Sequence, residues 1–233
     1  MPFRSQPFMR MMLVLIILLC AGISPNVFVA VQAGWNTFPV LLREWLLPSF
    51  LVLWVCVGLD YWMFDRSLAR QVLIGAGSGV LATVGLELVR EIGFHIGWMP
   101  GDMPKLIGVL ILNRFAMGPN GASNIAGWTY HCWNGACFGV IYTLLLGRGR
   151  VLWGVIYGLL IGVGFMISPV TRALGIGAFG LQYLEGYQFL IVVTLAHLVF
   201  GFLLGYLVYR SKAQSPSILD RCRMVFPPSS SPA

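Results

Sequence analysis

Long apolar runs alternate along the chain with short segments that carry most of the charged residues. A helix that crosses a bilayer needs about 20 consecutive, mostly apolar residues. Runs of this length favour helices, because strands are much shorter. The pattern therefore predicts an all-α fold, a polytopic bundle of six transmembrane helices. The predicted spans are residues 11–33, 44–63, 71–91, 125–147, 152–168 and 188–209.

The first apolar run has two interpretations. Arg4 and Arg10 precede a strongly apolar stretch that ends near Gly34, which is also the pattern of a cleavable signal peptide. We expect a retained helix instead, with a kink at residues 24–26, where Pro25 interrupts the run.

The basic residues predict an orientation, because loops on the cytoplasmic side are enriched in Lys and Arg. With a cytoplasmic N-terminus, ten of the fifteen fall on the inner side and five on the outer side. The inner ten are Arg4, Arg10, Arg66, Arg70, Arg148, Arg150, Arg210, Lys212, Arg221 and Arg223, and the outer five are Arg43, Arg90, Lys105, Arg114 and Arg172. Both termini are therefore predicted to be cytoplasmic.

The connections and the tail differ in character from the spans. Residues 98–124 contain an apolar run that is too short to span, and residues 169–187 resemble it. We expect both to form interfacial or re-entrant elements on the outer side. The end of the chain is rich in Pro and Ser. We therefore predict one bundle domain over residues 1–210 and a disordered cytoplasmic tail over 211–233.

Glycine recurs at four-residue intervals inside four of the predicted spans. In lipid there is little hydrophobic drive between helices, so small residues at this spacing promote association by letting backbones approach. We therefore predict one tightly packed bundle held by glycine stripes. The stripes are Gly75 and Gly79, then Gly135 and Gly139, then Gly154, Gly158 and Gly162, and finally Gly201 and Gly205.

Ionisable residues lie near the predicted outer ends of three spans, where such groups are costly and often functional. His131 and His197 each precede a glycine pair by one helical turn, on spans that run in the same direction. If their helices are neighbours, the two imidazoles can approach the carboxylates of the third span. We predict a buried ligand or proton site formed by Glu87, Glu91, His131, Asn134 and His197, supported by His95 and Thr194.

Three interpretations of these residues stay open at this point. The cluster can handle a proton, an ion or a small solute. It can also hold a metal ion, with His131, His197 and His95 as candidate ligands, or a b-type haem between paired histidines. A purely structural interpretation has the histidines bonding across helices while Glu87 pairs with Arg90. The sequence specifies no cofactor.

Composition narrows the function classes. Of the residues, 58% are hydrophobic and 10% are charged, whereas a soluble domain has about 25% charged residues. The net charge of +7 is spread singly and in pairs, so it does not indicate nucleic-acid binding. The sequence has no Walker loop, HExxH or GxSxG motif, and nothing in it indicates an enzyme.

Three stretches of the chain carry a resemblance to known proteins. They are "GWTYHCWNGACFGVIYTLL", "LWGVIYGLLIGVGF" and "AHLVFGFLLGYLV", within residues 125–208. This part resembles small bacterial inner-membrane proteins of unknown function, the YagU-like proteins. The resemblance implies a multi-pass protein of the bacterial inner membrane and no particular activity.

The first functional hypothesis is the handling of a small solute, an ion or a proton at the Glu/His cluster. The alternatives are a non-catalytic partner or assembly subunit of a membrane complex, and a metal- or haem-binding redox protein. The expected partners are the lipid bilayer and another membrane protein or a second copy of the chain.

Overall fold

The computed structural model describes residues 5–211 and 215–226, and all the regular secondary structure in them is helical. The predicted all-α fold is confirmed. The helices are α1 (Ser5–Gln32), α2 (Phe38–Leu41), α3 (Leu47–Met63), α4 (Ser67–His95), α5 (Met103–Ile111), α6 (Gly121–Leu146), α7 (Val151–Ile167), α8 (Pro169–Ala173), α9 (Gln188–Arg210) and α10 (Ile218–Val225). A π-helical turn, Leu42–Leu46, joins α2 to α3.

Five helical segments within the described residues are long and apolar enough to cross a membrane, as is typical of a membrane-embedded protein. They are Pro7–Gln32, Phe38–Met63, Ser67–His95, Val151–Ala173 and Gln188–Arg210. The predicted fourth span forms the 26-residue helix α6, but α6 is not among the five. Tyr130, His131 and Asn134 make this helix less apolar, so the sixth span stays a prediction.

Helix α4 lies at the centre of the bundle and packs against α6 on one side and α9 on the other. Helix α7 packs along α9, while α1 packs against α3 and α6. The fully buried side chains Val14 and Ile17 of α1 belong to a core cluster with α3, α4 and α6. Helix α1 is thus packed as part of the bundle.

The glycines lie where two antiparallel helix pairs come closest. A Cβ atom on Gly75 would lie 2.6 Å from the carbonyl oxygen of Gly139, and one on Gly79 would overlap the backbone of Gly135. These contacts join α4 to α6. In the same way Gly154 faces Gly201, which joins α7 to α9.

A further glycine contact joins α5 to α6 and has no counterpart in the predicted stripes. A Cβ atom on Gly108 would overlap the carbonyl group of Ser123, and one on Gly127 would overlap that of Pro104. These two glycines are nineteen positions apart and on different helices, so no repeat within one span marks them.

Pro25 lies inside α1 without ending the helix, and a side chain from α6 supports the turn around it. The Tyr130 hydroxyl donates to the Ser24 carbonyl oxygen at 2.6 Å and accepts from the Phe28 N–H at 3.3 Å. Those two backbone groups are partners, four residues apart, in an ideal helix. A hydroxyl inserted between them satisfies both groups where the proline loosens the helix.

The C-terminal segment packs on the bundle, which differs from the predicted disordered tail. Residues Ile218–Val225 form α10, and the buried Arg221 donates to Gln71 Oε1 at 2.7 Å. The Gln71 amide in turn donates to the carbonyl oxygens of Thr143 at 2.6 Å and Pro216 at 3.1 Å. Buried polar groups need such partners, so this network fixes the segment in place. Residues 212–214 and 227–233 of the predicted tail lie outside the described residues.

The opposite end of the bundle, here called the α5–α8 end, is closed by its two short helices. Met103 and Ile107 of α5 belong to a core cluster that also contains Val27 and Phe28 of α1. Val170 of α8 joins the same cluster and is fully buried. The two connections that were predicted to be interfacial or re-entrant therefore pack into the core of the protein.

Candidate functional site

A cavity of about 410 Å³ lies inside the bundle towards the α5–α8 end. We call it the central cavity. Its walls come from α1, α4, α5, α6, α7 and α9, and they are mostly aliphatic and aromatic. Polar side chains are few and include Thr83, Arg90, His131, Asn134 and His197. A mostly apolar cavity with a few converging polar groups is the usual form of a small-molecule site.

Two of the polar wall residues are held by one buried carboxylate. Glu87 Oε1 accepts a hydrogen bond from Arg90 Nη1 at 2.8 Å and lies 2.8 Å from His131 Nε2. Glu87 and Arg90 are each 7% exposed, and the His131 side chain is 14% exposed. We call Glu87, Arg90 and His131 the Glu87 network.

The local helix geometry explains how the network forms. Arg90 follows Glu87 by three positions on α4, so both side chains lie on one face of that helix. His131 comes from α6, which approaches α4 closely because Gly79 and Gly135 face each other. A side chain at either glycine would hold the helices apart and lengthen the contact between Glu87 and His131.

The charges of the network determine its chemistry. A lone buried charge is costly, and the Arg90 guanidinium compensates the Glu87 carboxylate. A carboxylate can only accept hydrogen bonds, so His131 Nε2 carries a proton towards it. The other ring nitrogen, Nδ1, can then gain or lose a proton. The arrangement can bind a polar group and can hold or release a proton.

His197 lines the same cavity from α9 and is 7% exposed. Its Nδ1 lies 2.8 Å from the Val193 carbonyl oxygen, which can only accept, so Nδ1 carries the proton. In the neutral ring Nε2 is then a hydrogen-bond acceptor. The ring stacks on Phe165, with centroids 6.2 Å apart and planes at 24°.

Two further polar groups of the cavity wall are incompletely bonded. Arg90 Nε and Asn134 Oδ1 are buried and have no hydrogen-bond partner within the described part of the chain. Unsatisfied buried polar atoms are uncommon in folded proteins and mark places where a structure is adapted to more than its own packing. Both residues belong to the wall of the central cavity.

The structure separates three of the predicted site residues from the rest. Glu91 and His95 are exposed and are not part of the cavity wall, and Glu91 Oε1 lies 3.5 Å from His95 Nδ1. Thr194 is half-buried on α9 and does not line the cavity either. Each step of four residues along α4 rotates the side chain by about 40°, which turns Glu91 and His95 away from the face of Glu87.

The proposed metal ligands are not gathered in one place. Among the described residues, no group of three or more His, Cys, Asp and Glu side chains has the geometry to hold a metal ion. His95 lies outside the cavity, and His131 Nε2 already faces Glu87. The donor set that remains on the cavity wall therefore fits hydrogen bonding better than metal binding.

Arg90 and Tyr130 line the cavity but are not among the site residues predicted from the sequence. Arg90 lies at the end of the predicted span 71–91 and is counted among the outer basic residues, and in the structure it is a buried residue of α4. Its signal was available, because an arginine three positions after a glutamate in an apolar helix is an ion pair across one turn. Tyr130 has no such signal, since its bonds go to α1, more than a hundred residues earlier.

Comparison with known proteins places the chain in a family without assigning an activity. A model of a family of unknown function, DUF6789, matches residues 69–218. The match runs from α4 to the start of α10 and includes the Glu87 network and His197. No curated protein and no solved structure matches the chain. Because the matched segment is more than half of the sequence, the chain belongs to the DUF6789 family.

Proposed function

We propose that this protein binds and handles a small solute inside the membrane, in the central cavity. The observation that carries the proposal is the buried Glu87 carboxylate, which holds Arg90 and His131 on the cavity wall. Ionisable groups within membrane-spanning segments are costly and are usually kept for a function. The ion pair would be unnecessary if the helices needed only packing.

The network offers two means of handling a solute. The Arg90 and Asn134 side chains can hydrogen-bond a polar group of the solute, while the aromatic and aliphatic walls cover its apolar part. His131 can take up or release a proton next to that polar group.

A panel of small molecules tests the proposal on the purified protein. Carboxylic acids, amines, phenols and sugars are added separately, and the melting temperature is followed by circular dichroism. A ligand present at about 100 times its Kd stabilises a protein by about 2.7 kcal/mol. We expect at least one class to raise the melting temperature of the wild type and not that of Glu87→Gln.

Matched variants separate the site from general effects. Glu91→Gln changes the same residue type one turn further along α4, outside the cavity, and is expected to respond like the wild type. His131→Ala keeps the Glu87–Arg90 pair and is the site variant to use if Glu87→Gln does not fold. If every class of molecule changes the melting temperature of the wild type, Glu87→Gln and His131→Ala by the same amount, the proposed site is wrong.

We also propose that α6 crosses the membrane as a sixth span, in a bacterial inner membrane and with both termini cytoplasmic. Helix α6 has 26 residues and packs against α1 and α4, which are both among the five apolar helices. The distribution of basic residues supports this orientation. A C-terminal fluorescent protein should then fluoresce, and alkaline phosphatase inserted after residue 175 should be active. The reverse pattern would contradict the six-span topology.

We also propose that close backbone packing at the glycine contacts stabilises this bundle. The antiparallel pairs α4–α6 and α7–α9 both meet at glycines. Van der Waals contact between backbones is the main attraction available to helices in lipid.

A further inference from the structure

The mouth of the central cavity lies on the side of the bundle. Of all the residues in the cavity wall, the exposed ones are Asn26 on α1 and Gly164 on α7. Helices α1 and α7 do not pack along each other and are connected through α8. The gap between these two helices is therefore where the cavity opens.

The surface around this opening is that of a lipid-facing helix. Leu160 and Ile167 lie one turn to either side of Gly164 on α7, and they are 65% and 52% exposed. Both helices that border the gap are long and apolar enough to cross a membrane. The opening thus faces the region that the bilayer would occupy.

In the described part of the chain, the α5–α8 end offers no comparable opening to water. Val170 and Thr171 of α8 are fully buried, and the Thr171 hydroxyl lies 3.1 Å from the Ser168 carbonyl oxygen and 3.2 Å from that of Met166. Met103 and Ile107 of α5 cover the cavity beside them. A molecule that reaches the Glu87 network from the open side must therefore come through the membrane.

The charge balance of the wall selects a neutral ligand. The Arg90 guanidinium is already paired with Glu87, so neither residue offers an uncompensated charge to an anion or a cation. Four phenylalanines, Phe28, Phe138, Phe165 and Phe200, line the cavity and favour an aromatic ring.

The hydrogen-bonding capacity of the wall selects a hydroxyl group. His197 Nδ1 donates to the Val193 carbonyl, so Nε2 can accept a hydrogen bond from a ligand. Arg90 and Asn134 also line the cavity and carry N–H groups that can donate to a ligand. A group that donates one hydrogen bond and accepts others is a hydroxyl.

We infer that the central cavity takes up a lipophilic phenol from the bilayer through the gap between α1 and α7, with its hydroxyl between His197 and Arg90 and its ring among the four phenylalanines. This inference rests on the proposed function and names the chemical class of its solute. The class follows from the neutral wall, the acceptor on His197 and the lateral opening together.

Binding of para-octylphenol to the protein in lipid nanodiscs tests the inference. Radiolabelled probe retained by the protein is compared with that retained by empty nanodiscs, which corrects for partition into lipid. The methyl ether, para-octylanisole, has the same ring and tail without the donor. We expect it to bind about tenfold more weakly, the size expected for loss of one buried hydrogen bond. Equal binding of the two probes would overturn the assignment, and this comparison needs no variant.

Two variants test the residues and the route. His197→Phe keeps a ring in place of the imidazole and removes the acceptor, so it should lower the affinity for para-octylphenol to that for para-octylanisole. Gly164→Leu should slow binding about tenfold by narrowing the gap, while Gly77→Leu, which adds the same side chain to an exposed glycine of α4, should not. If both leucine variants bind at the wild-type rate, the lateral route is wrong.

The two proposals fail in different ways. If octanoate or an alkylamine stabilises the protein in a Glu87-dependent manner and para-octylphenol does not bind, the proposed function stands and the phenol assignment is wrong. If no class of molecule acts through Glu87, both are wrong.

Discussion

The imidazole ring of His197 occupies the space that a side chain at Gly162 would need. A Cβ atom on Gly162 would lie 2.9 Å from His197 Cγ and 3.2 Å from Nδ1. The third glycine of the α7 stripe therefore accommodates a side chain of α9, whereas Gly154 and Gly158 face its backbone. This contact sets the position of the His197 ring on the cavity wall.

Gly162→Ala is expected to displace His197 and to lower the stability of the protein by about 1–3 kcal/mol through overpacking. Gly164→Ala is the matched control, because a Cβ atom there meets no described atom within 4 Å. It should be neutral or stabilising by up to about 1 kcal/mol. Unfolding in mixed detergent, followed by circular dichroism, measures both. Equal stabilities would show that His197 moves aside at no cost.

Gly79→Ala is expected to destabilise the α4–α6 pair by about 1–3 kcal/mol, because the added methyl group meets the opposite backbone at Gly135, which cannot rotate away. Gly77→Ala, two residues earlier, adds the same methyl group where no described atom lies within 4 Å. The difference between these variants in the same unfolding measurement gives the contribution of close packing. A Gly79→Ala variant as stable as Gly77→Ala would contradict glycine packing at this pair.

Tyr130→Phe is expected to cost about 1–3 kcal/mol, because it leaves the Ser24 carbonyl and the Phe28 N–H without their bridging hydroxyl. Tyr142→Phe is the control. The Tyr142 hydroxyl is buried without a hydrogen-bond partner in the described structure, so its removal should be neutral or stabilising. Thermal unfolding compares the two, and faster hydrogen exchange around Pro25 in Tyr130→Phe would locate the effect. An equally stable Tyr130→Phe variant would exclude the bridge as a support for α1.

The Asp65 carboxylate is expected to make the folded protein less stable at acid pH. Partial burial raises the pKa of its carboxyl, but hydrogen bonds from Arg10 and Ser67 outweigh this and lower the pKa from 3.8 to about 2. The folded state therefore binds the proton less tightly than the unfolded state. The contribution of this carboxylate to the free energy of unfolding is complete above the pKa that Asp65 has in the unfolded chain. It is lost as pH falls from 3.8 towards about 2. In Asp65→Asn this part of the pH dependence of unfolding should vanish, and an unchanged profile would contradict the pairing.

Gln71→Ala is expected to release the C-terminal segment, because it leaves the buried Arg221 guanidinium without its acceptor. Loss of a hydrogen bond to a buried charged group costs about 1.5–3 kcal/mol. Hydrogen exchange over residues 215–226 should rise, while Arg223→Ala, which changes an exposed arginine of the same helix, should leave it unchanged. Slow exchange in Gln71→Ala would show that other contacts hold α10.

The sequence located the helices well but their ends less well. The predicted third span was 71–91, whereas α4 runs over Ser67–His95. Hydropathy marks the apolar part of a helix, but the backbone hydrogen bonds continue through polar residues beyond it.

Of the candidate site, the sequence identified residue types and missed their geometry. Glu87 and Glu91 have the same spacing pattern, and only packing decides that the first faces His131 while the second is exposed. The pairing of Glu87 with Arg90 was among the interpretations left open, and the structure shows that it coexists with the His131 contact.

The sequence by itself determined that the chain is helical and apolar, because the length and composition of a run suffice to predict a helix for lipid. It also placed glycine at four-residue spacing, a property of one helix. Only the tertiary structure decided that Gly79 meets Gly135, that Tyr130 reaches the turn at Pro25 and that His131 and His197 line one cavity. These contacts join residues far apart in the chain, and their geometry depends on how whole helices pack, which no local pattern encodes.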